Sequence, residues 1–200
     1  REYQRLGWTQ QPNEAETDTK LRATIIGMTL YGEDKKAIDA AHELYLSGIE
    51  SLDPELRSLI IGNEVRHFET PELIDGLITL YRTTSSADLQ TDICAGLTST
   101  RALETVEKLL LIMKDSSIVR SQDAFRWFVY LIRNRYARNT SWQWLKDNWQ
   151  WVIDTYGGDK SFDDFPRYAA TGLSTTEQLD DYTNFFTPMM EIPSLTRVIQ

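Results

Sequence analysis

The chain has 200 residues, 41% of them apolar and 11% aromatic, which is enough for one ordinary domain or two small ones with a packed core. Thirty acidic residues against 21 basic ones leave a net charge of −9, which argues against partners such as nucleic acid or an anionic membrane surface. The apolar runs are too short to cross a bilayer.

The start of the chain and its cysteine content carry further information. The first residue is Arg1, with no initiator methionine and no signal-type apolar core, so we expect a piece of a longer protein. The single cysteine cannot form an intramolecular disulfide and is typical of a reducing compartment. Together these features predict a cytoplasmic location.

The apolar residues recur at helical spacing along nearly the whole chain, and strand-like alternation is rare. Helix starts are clearest at Asp53 and Thr70, because each can cap a helix and is followed by proline. Helix ends are indicated by glycines that can adopt a left-handed conformation, such as Gly48, Gly96 and Gly172. These signals predict ten helices, over residues 14–31, 34–47, 54–69, 71–83, 87–97, 101–114, 119–137, 141–156, 162–171 and 176–187.

The spacing of these helices indicates the architecture. Short connections predict that successive helices pack antiparallel as hairpins. The odd-numbered helices begin about every 32 to 43 residues, which is the step of two-helix repeats. We therefore predict an all-α fold, an α–α superhelix of antiparallel hairpins like the HEAT and armadillo solenoids, rather than a closed bundle.

The tryptophan-rich helix predicted over residues 141–156 carries apolar side chains on two faces. Trp142 and Trp149 belong to one stripe, and Trp144 and Trp151 share the opposite face. A surface helix needs one apolar stripe, whereas a helix between two neighbours needs two. We expect this helix to lie between two others.

Motifs for catalysis or metal binding are missing. The segment His42-Glu-Leu-Tyr-Leu46 lacks the second histidine that a zinc-binding His-Glu-x-x-His helix needs. We interpret His42 and His67 as partly buried helix residues and Cys94 as a small core residue. Nucleophile-elbow, phosphate-loop and dinucleotide motifs are also absent. No catalytic residue and no metal ligand is assigned within this chain.

A basic segment between Lys114 and Arg138 interrupts the acidic background. It contains six basic and two acidic residues, so these 25 residues carry +4 and the other 175 carry −13. On the helix predicted here, Gln122, Arg126 and Arg133 follow one flank of an apolar stripe. That stripe consists of Phe125, Phe128, Val129, Ile132 and Tyr136.

The two flanking arginines define the candidate binding site. Arg126 and Arg133 are two helical turns, about 10 Å, apart along the axis. Guanidinium groups in such a row can bind a carboxylate or a phosphate through paired hydrogen bonds. We predict Arg126, Arg133 and Gln122 as substrate-binding residues. The alternative is that the arginines neutralise acidic residues of a neighbouring helix.

Several short segments, taken in order, resemble one known family. They are Leu6-Gly-Trp8, Leu21-Arg-Ala23, Tyr31-Gly-Glu-Asp34, Ala40-Ala-His-Glu-Leu-Tyr45, Leu52-Asp-Pro-Glu-Leu-Arg57, Val119-Arg-Ser-Gln-Asp123, Ser141-Trp-Gln-Trp-Leu-Lys-Asp-Asn-Trp149, Thr175-Thr-Glu-Gln-Leu179 and Phe185-Phe186. They resemble the C-terminal helical domain of the zinc-dependent aminopeptidase N family, which includes the endoplasmic-reticulum and insulin-regulated aminopeptidases. The similarity extends from about Leu6 to Gln200.

This resemblance implies a parent enzyme that removes N-terminal residues from peptides with one zinc ion. The family's His-Glu-x-x-His and Gly-x-Met-Glu-Asn motifs do not occur here, so the resemblance gives no residue of this chain a catalytic role. It implies that residues 1–200 are a fragment of one C-terminal domain, that a catalytic domain lies upstream, and that the chain continues past Gln200. The partners implied are that upstream domain and peptide substrates.

The family's C-terminal domain forms an α-superhelix that curves over the active site and closes an internal chamber. This sequence departs from the family at Asn134-Arg-Tyr-Ala-Arg-Asn-Thr140, where relatives have a turn with proline and glycine. Without those residues we expect the preceding helix to extend and the arginines of this segment to lie at the chamber rim. For the domain as a whole, the hypothesis is that Arg126 and Arg133 meet the C-terminal end of a peptide. The alternative function is a free-standing α-solenoid adaptor that binds a protein on its concave face.

Overall fold

The computed structural model describes residues 2–189, 191 and 195–196. Helices are the only regular secondary structure in these residues, which confirms the all-α prediction. Residues 197–200, after which we expect the chain to continue, lie outside the described part. The helices are α1 (Glu2–Leu6), α2 (Glu16–Tyr31), α3 (Lys35–Leu46), α4 (Pro54–His67), α5 (Pro71–Thr83), α6 (Ala87–Leu97), α7 (Leu103–Ile112), α8 (Ser121–Arg133), α9 (Arg138–Asp147), α10 (Trp149–Tyr156), α11 (Asp164–Ala170) and α12 (Thr176–Phe186).

The chain divides into two compact units, residues 1–99 and 100–200. In the first unit α4 is central and packs against α2, α3 and α6, while α5 packs against α6. In the second unit α8 packs against α9 and α11, and α9 also contacts α7 and α10. Several pairs of successive helices, such as α3 with α4 and α8 with α9, therefore pack together as predicted for helical hairpins, whereas α4 also packs against α6, the next helix but one. Among the described residues, none of the helices is both long and apolar enough to cross a membrane.

Side-chain caps begin the helices where the sequence predicts them. Asp53 accepts a hydrogen bond from the backbone N–H of Glu55, and Thr70 accepts one from that of Leu73. Each satisfies an N–H group that has no partner within the helix.

The first helix, α1, was not predicted, because its five residues are too few to show a helical period.

The predicted left-handed helix ends are confirmed at one of the three glycines named. Gly48 has a φ of 105°, a conformation that favours glycine. Gly96 lies inside α6 and allows close packing instead: a Cβ there would lie 2.3 Å from Cγ2 of Ile61 on α4. At Gly172 a Cβ would lie 2.2 Å from Nε of Arg138. The helices do end near these two glycines, since α6 ends at Leu97 and α11 at Ala170, but the predicted left-handed conformation was wrong at both sites. Each of these glycines instead makes room for a neighbouring side chain.

The helix predicted over 119–137 ends at Arg133, so the expected extension is wrong. The side chain of Asn134 explains the end, because its Nδ2 donates to the Thr100 carbonyl at 2.7 Å. Its Oδ1 accepts from the backbone N–H of Tyr136 at 3.0 Å. Asparagine side chains compete in this way with the backbone hydrogen bonds of a helix.

The helix predicted over 141–156 is two helices, α9 and α10, which meet at Asn148. Asn148 Nδ2 donates to the Trp144 carbonyl, and the Asn148 backbone has a non-helical φ of −115°. The predicted sandwich is nevertheless present in this unit. Trp142 stacks on Tyr182 of α12 with ring centroids 5.8 Å apart, and Trp144 lies 6.3 Å from Phe128 of α8.

Candidate functional site

The candidate site lies on α8, whose first turn is held by two side-chain contacts. Arg120 Nε donates to Asp123 at 2.8 Å across the start of the helix. The hydroxyl of Tyr156 on α10 donates to the Ser121 carbonyl. Burial is the main cause that raises the pKa of Tyr156, to about 12, so this hydroxyl stays protonated as a donor at neutral pH. The N-terminal end of α8 is therefore held against α10.

Most of the circumference of α8 is buried. Packing of these side chains fixes the rotation of the helix, and with it the direction of its remaining face. The buried residues are Ala124, Trp127, Phe128, Val129, Leu131 and Ile132.

The three predicted binding residues all lie on the exposed face of α8. Gln122, Arg126 and Arg133 are each exposed. Arg126 follows Gln122 by four residues and precedes Arg133 by seven, so the row extends along about three helical turns. Arg133 makes no ion pair with another residue of the described chain. The alternative, that the arginines neutralise acidic residues of a neighbouring helix, stays a prediction.

Other cations of the basic segment have structural contacts. Arg138 Nη1 donates to the Gly172 carbonyl at 3.2 Å, and its Nε donates to the Ile132 carbonyl at 3.3 Å. Lys114 donates to the side chain of Asn148 at 2.6 Å. These contacts connect helices of the second unit, so Arg138 and Lys114 do not belong to the exposed row.

Two arginines that were not predicted as site residues meet at Tyr136. Arg101 and Arg135 place their guanidinium carbons 5.3 Å and 4.7 Å from the centroid of the Tyr136 ring. Arg135 Nη2 also donates to the Tyr136 hydroxyl at 2.6 Å. Tyr136 is 43% exposed, so its assignment to the apolar stripe of α8 was wrong. It lies in the turn after the helix, where the helical period no longer sets its direction.

This cluster of Arg101, Arg135 and Tyr136 follows directly on Arg133. Cation–π contacts orient guanidinium groups while leaving N–H donors at their edges. Arg135 and Tyr136 both lie in the basic segment between Lys114 and Arg138, so the sequence indicated this region. Arg101 had no sequence signal, because it precedes α7 and reaches Tyr136 only through the packing of the second unit.

The two histidines and the cysteine have local partners or are buried in the first unit. His42 Nδ1 lies 2.8 Å from Oε2 of the buried Glu64, and its ring stacks on Phe68 with centroids 3.9 Å apart. Burial, with a smaller contribution from the charge of Glu64, raises the pKa of Tyr45. Cys94 is buried in α6, which confirms its interpretation as a core residue.

These groups do not fit a zinc site. Within the described part of the chain, no three side chains of histidine, cysteine, aspartate or glutamate are grouped to hold a metal ion. His42 has one ring nitrogen engaged by Glu64 and one ring face covered by Phe68. The zinc that the resemblance implies has no matching donor set in these residues.

Comparison with known proteins gives the family. The model of the ERAP1-like C-terminal domain matches residues 1–200, the whole chain. The chain belongs to the ERAP1-like C-terminal domain family. The resemblance described from the sequence segments is therefore confirmed.

Curated relatives of this ERAP1-like domain are aminopeptidases. Aminopeptidase N of Lactobacillus helveticus is 31% identical over 199 residues, which are 98% of this chain and 24% of the relative. Aminopeptidase N of Lactococcus lactis subsp. lactis strain IL1403 is 33% identical over 205 residues, 99% of this chain and 24% of the relative. Glutamyl aminopeptidase of Bitis rhinoceros is 27% identical over 185 residues, 90% of this chain and 19% of the relative. The chain spans about a quarter of the length of the aminopeptidase N relatives, and the matched quarter is the C-terminal one.

Proposed function

We propose that this protein is the non-catalytic C-terminal domain of a zinc-dependent aminopeptidase and that it closes the chamber above the active site. The match of the whole chain to the C-terminal quarter of proteins named aminopeptidase N carries this proposal. The zinc ligands and the catalytic residues would lie upstream in the same polypeptide, and the substrates would be peptides. A cytoplasmic location belongs to the same proposal.

The decisive measurement is aminopeptidase activity and zinc content of two purified proteins, the full-length polypeptide and the 200-residue chain alone. We expect one zinc ion and peptide hydrolysis in the full-length protein, and neither in the 200-residue chain, because the described residues offer no group of three metal ligands. Activity or stoichiometric zinc in the 200-residue chain would contradict the assignment as a non-catalytic domain. A full-length protein without either would contradict the aminopeptidase assignment and favour the adaptor.

The exposed face of α8 supports a finer proposal, contact with the C-terminal end of the peptide. Arg126 and Arg133 are exposed on one face of a helix that is otherwise packed. A guanidinium group matches the geometry of a carboxylate and can donate two parallel hydrogen bonds to it. Gln122, one turn before Arg126, can donate its amide N–H to the peptide backbone.

Charge reversal tests this contact. We expect the full-length double variant Arg126→Glu and Arg133→Glu to hydrolyse peptides with kcat/KM lowered by about tenfold or more, because a hydrogen bond to a charged group contributes about 1.5–3 kcal/mol. Hydrolysis of a small amino-acid arylamide should stay at the wild-type rate, since such a substrate has no C-terminal carboxylate to bind. Steady-state kinetics with both substrates gives the two values.

The matched control reverses two exposed cations of the first unit, Lys36→Glu and Arg82→Glu, and so changes the net charge equally. This control should keep the wild-type kcat/KM for both substrates. An equal loss on peptide and arylamide in the α8 variant would show that Arg126 and Arg133 act on the structure rather than on the substrate. An equal loss on peptides in the control would assign the effect to overall charge.

A further inference from the structure

Helix α2 in the first unit exposes a row of apolar side chains. Leu21 is 38% exposed, Met28 67% and Tyr31 78%. Thr24, between them, is also exposed. These four residues are called here the α2 stripe. Single exposed apolar residues are ordinary on a protein surface, whereas a continuous row of them marks an interaction site.

The spacing of the α2 stripe places its members on one face. The steps from Leu21 through Thr24 and Met28 to Tyr31 are three, four and three residues, so all four fall within an arc of about 80°. The row is about 15 Å long. Three-and-four spacing is the pattern by which a helix packs against a partner surface.

The opposite face of α2 is already used. Arg22, Ile26 and Leu30 are buried there, and Ile26 and Leu30 belong to the apolar core of this unit. The helix therefore carries apolar side chains on two faces, although only one of them is covered within the described residues. A helix with two apolar faces is typical of a position between two partners.

The chemistry of the α2 stripe indicates a lasting interface. The stripe contains no charged side chain, in a chain where 26% of the residues are charged. Interface centres are depleted of charge and enriched in methionine and tyrosine. The occupant should therefore present an uncharged, apolar surface.

We propose that the α2 stripe is the docking surface for the polypeptide upstream of this chain in the full-length protein, an inference that rests on the proposed function. The aminopeptidase N relatives are about four times as long as this chain, and the chain matches their C-terminal quarter. Helix α2 begins at Glu16, so the upstream polypeptide is tethered close to the stripe. Such a tether gives the upstream polypeptide a high effective concentration at this surface.

Photo-crosslinking in the full-length protein tests this docking. The photoreactive residue p-benzoylphenylalanine replaces Tyr31, and a matched variant carries it at Thr79, an exposed position of α5. After irradiation, mass spectrometry of the digested protein should identify cross-links from position 31 to the segment upstream of Arg1. The yield from position 31 should be severalfold higher than that from position 79.

Two outcomes would overturn the proposal. A cross-link from position 31 to a second copy of the protein would make the α2 stripe an oligomer interface. A yield no higher than that at position 79 would leave the stripe facing solvent. Aminopeptidase activity of the unmodified full-length protein separates the docking proposal from the proposed function. An inactive protein that forms the upstream cross-link would contradict only the proposed function. An active protein that does not form this cross-link would contradict only the docking.

Discussion

At the scale of single residues, Gly96 determines how closely two helices of the first unit approach. A Cβ at this position would lie 2.3 Å from Cγ2 and 2.8 Å from Cβ of Ile61, and 3.3 Å from the backbone nitrogen of Gly62. The first two distances are far below van der Waals contact. The packing of α6 on α4 therefore requires glycine at this position.

We expect Gly96→Ala to lower the free energy of unfolding by about 1–3 kcal/mol, because the added methyl group overpacks the contact with Ile61. The midpoint of urea-induced unfolding of the 200-residue chain measures the change. Gly76→Ala is the matched control: Gly76 lies inside α5 with no atom within 4 Å of an added Cβ. It should be neutral or stabilise by up to about 1 kcal/mol, because alanine favours helices. Equal stability of Gly96→Ala and wild type would contradict the packing argument.

The turn after α8 shows a second effect of single residues. Asn134 ends the helix with its own side chain, and Tyr136 then binds two guanidinium groups. The sequence indicated a helix through this segment because neither proline nor glycine interrupts it. A polar side chain such as that of Asn134 competes for the backbone hydrogen bonds of a helix without changing the spacing of the apolar residues. The spacing therefore does not reveal that the helix ends here.

At the scale of elements, two ion pairs support the N-terminal part of the first unit. Arg5 on α1 pairs with Asp18 on α2 at 2.6 Å. Arg22, buried in α2, pairs with Glu14 and donates to the Leu6 carbonyl at 3.2 Å from Nη2. The hydrogen bond from Arg22 is the largest cause that lowers the pKa of Glu14, and the backbone N–H of Gln11 adds to it.

The pairing of Glu14 predicts how stability depends on pH. Because its folded pKa lies below the ordinary value of 4.5, its contribution is present above that pH and is lost as the pH falls toward the folded pKa. We expect the free energy of unfolding of Glu14→Gln to fall less steeply than that of the wild type between about pH 5 and pH 3. Urea unfolding at a series of pH values measures this slope.

Glu16→Gln is the control for this prediction. Glu16 is exposed at the start of α2 and pairs with Lys20, which is also exposed, so its pair contributes little. Its pH profile should follow that of the wild type. Parallel profiles for wild type and Glu14→Gln would show that the pair with Arg22 does not contribute to the acid sensitivity.

The sequence patterns predict some helix boundaries correctly and miss others. Caps at Asp53 and Thr70 place the starts of α4 and α5 correctly, because a cap acts on backbone groups two or three residues away. The division of the tryptophan-rich segment at Asn148 was missed. Its apolar stripes continue across the break, since α9 and α10 both pack within the same unit.

At the scale of the whole molecule, the chain consists of two compact units and spans about a quarter of the length of its aminopeptidase N relatives. The basic row on α8 belongs to the second unit and the α2 stripe to the first. Each is an exposed surface without catalytic groups. We propose that both surfaces function within a longer polypeptide. The basic row on α8 contacts the peptide substrate, and the α2 stripe packs against the upstream part of the polypeptide.

The sequence by itself determined the all-α class, most helix starts, the core role of Cys94 and the family. These features depend on local hydrogen bonding, on the helical period and on short motifs, all of which lie within a few residues of one another. It also placed Gln122, Arg126 and Arg133 on one helix face, and the structure shows all three exposed.

Only the tertiary structure decided which residues far apart in the chain meet. Gly96 contacts Ile61, and Arg101 lies over Tyr136, in each case across 35 positions of sequence. Such contacts depend on the angles and distances at which whole helices pack. No local pattern encodes them, so neither the glycine contact nor the arginine–tyrosine cluster could be predicted from the sequence.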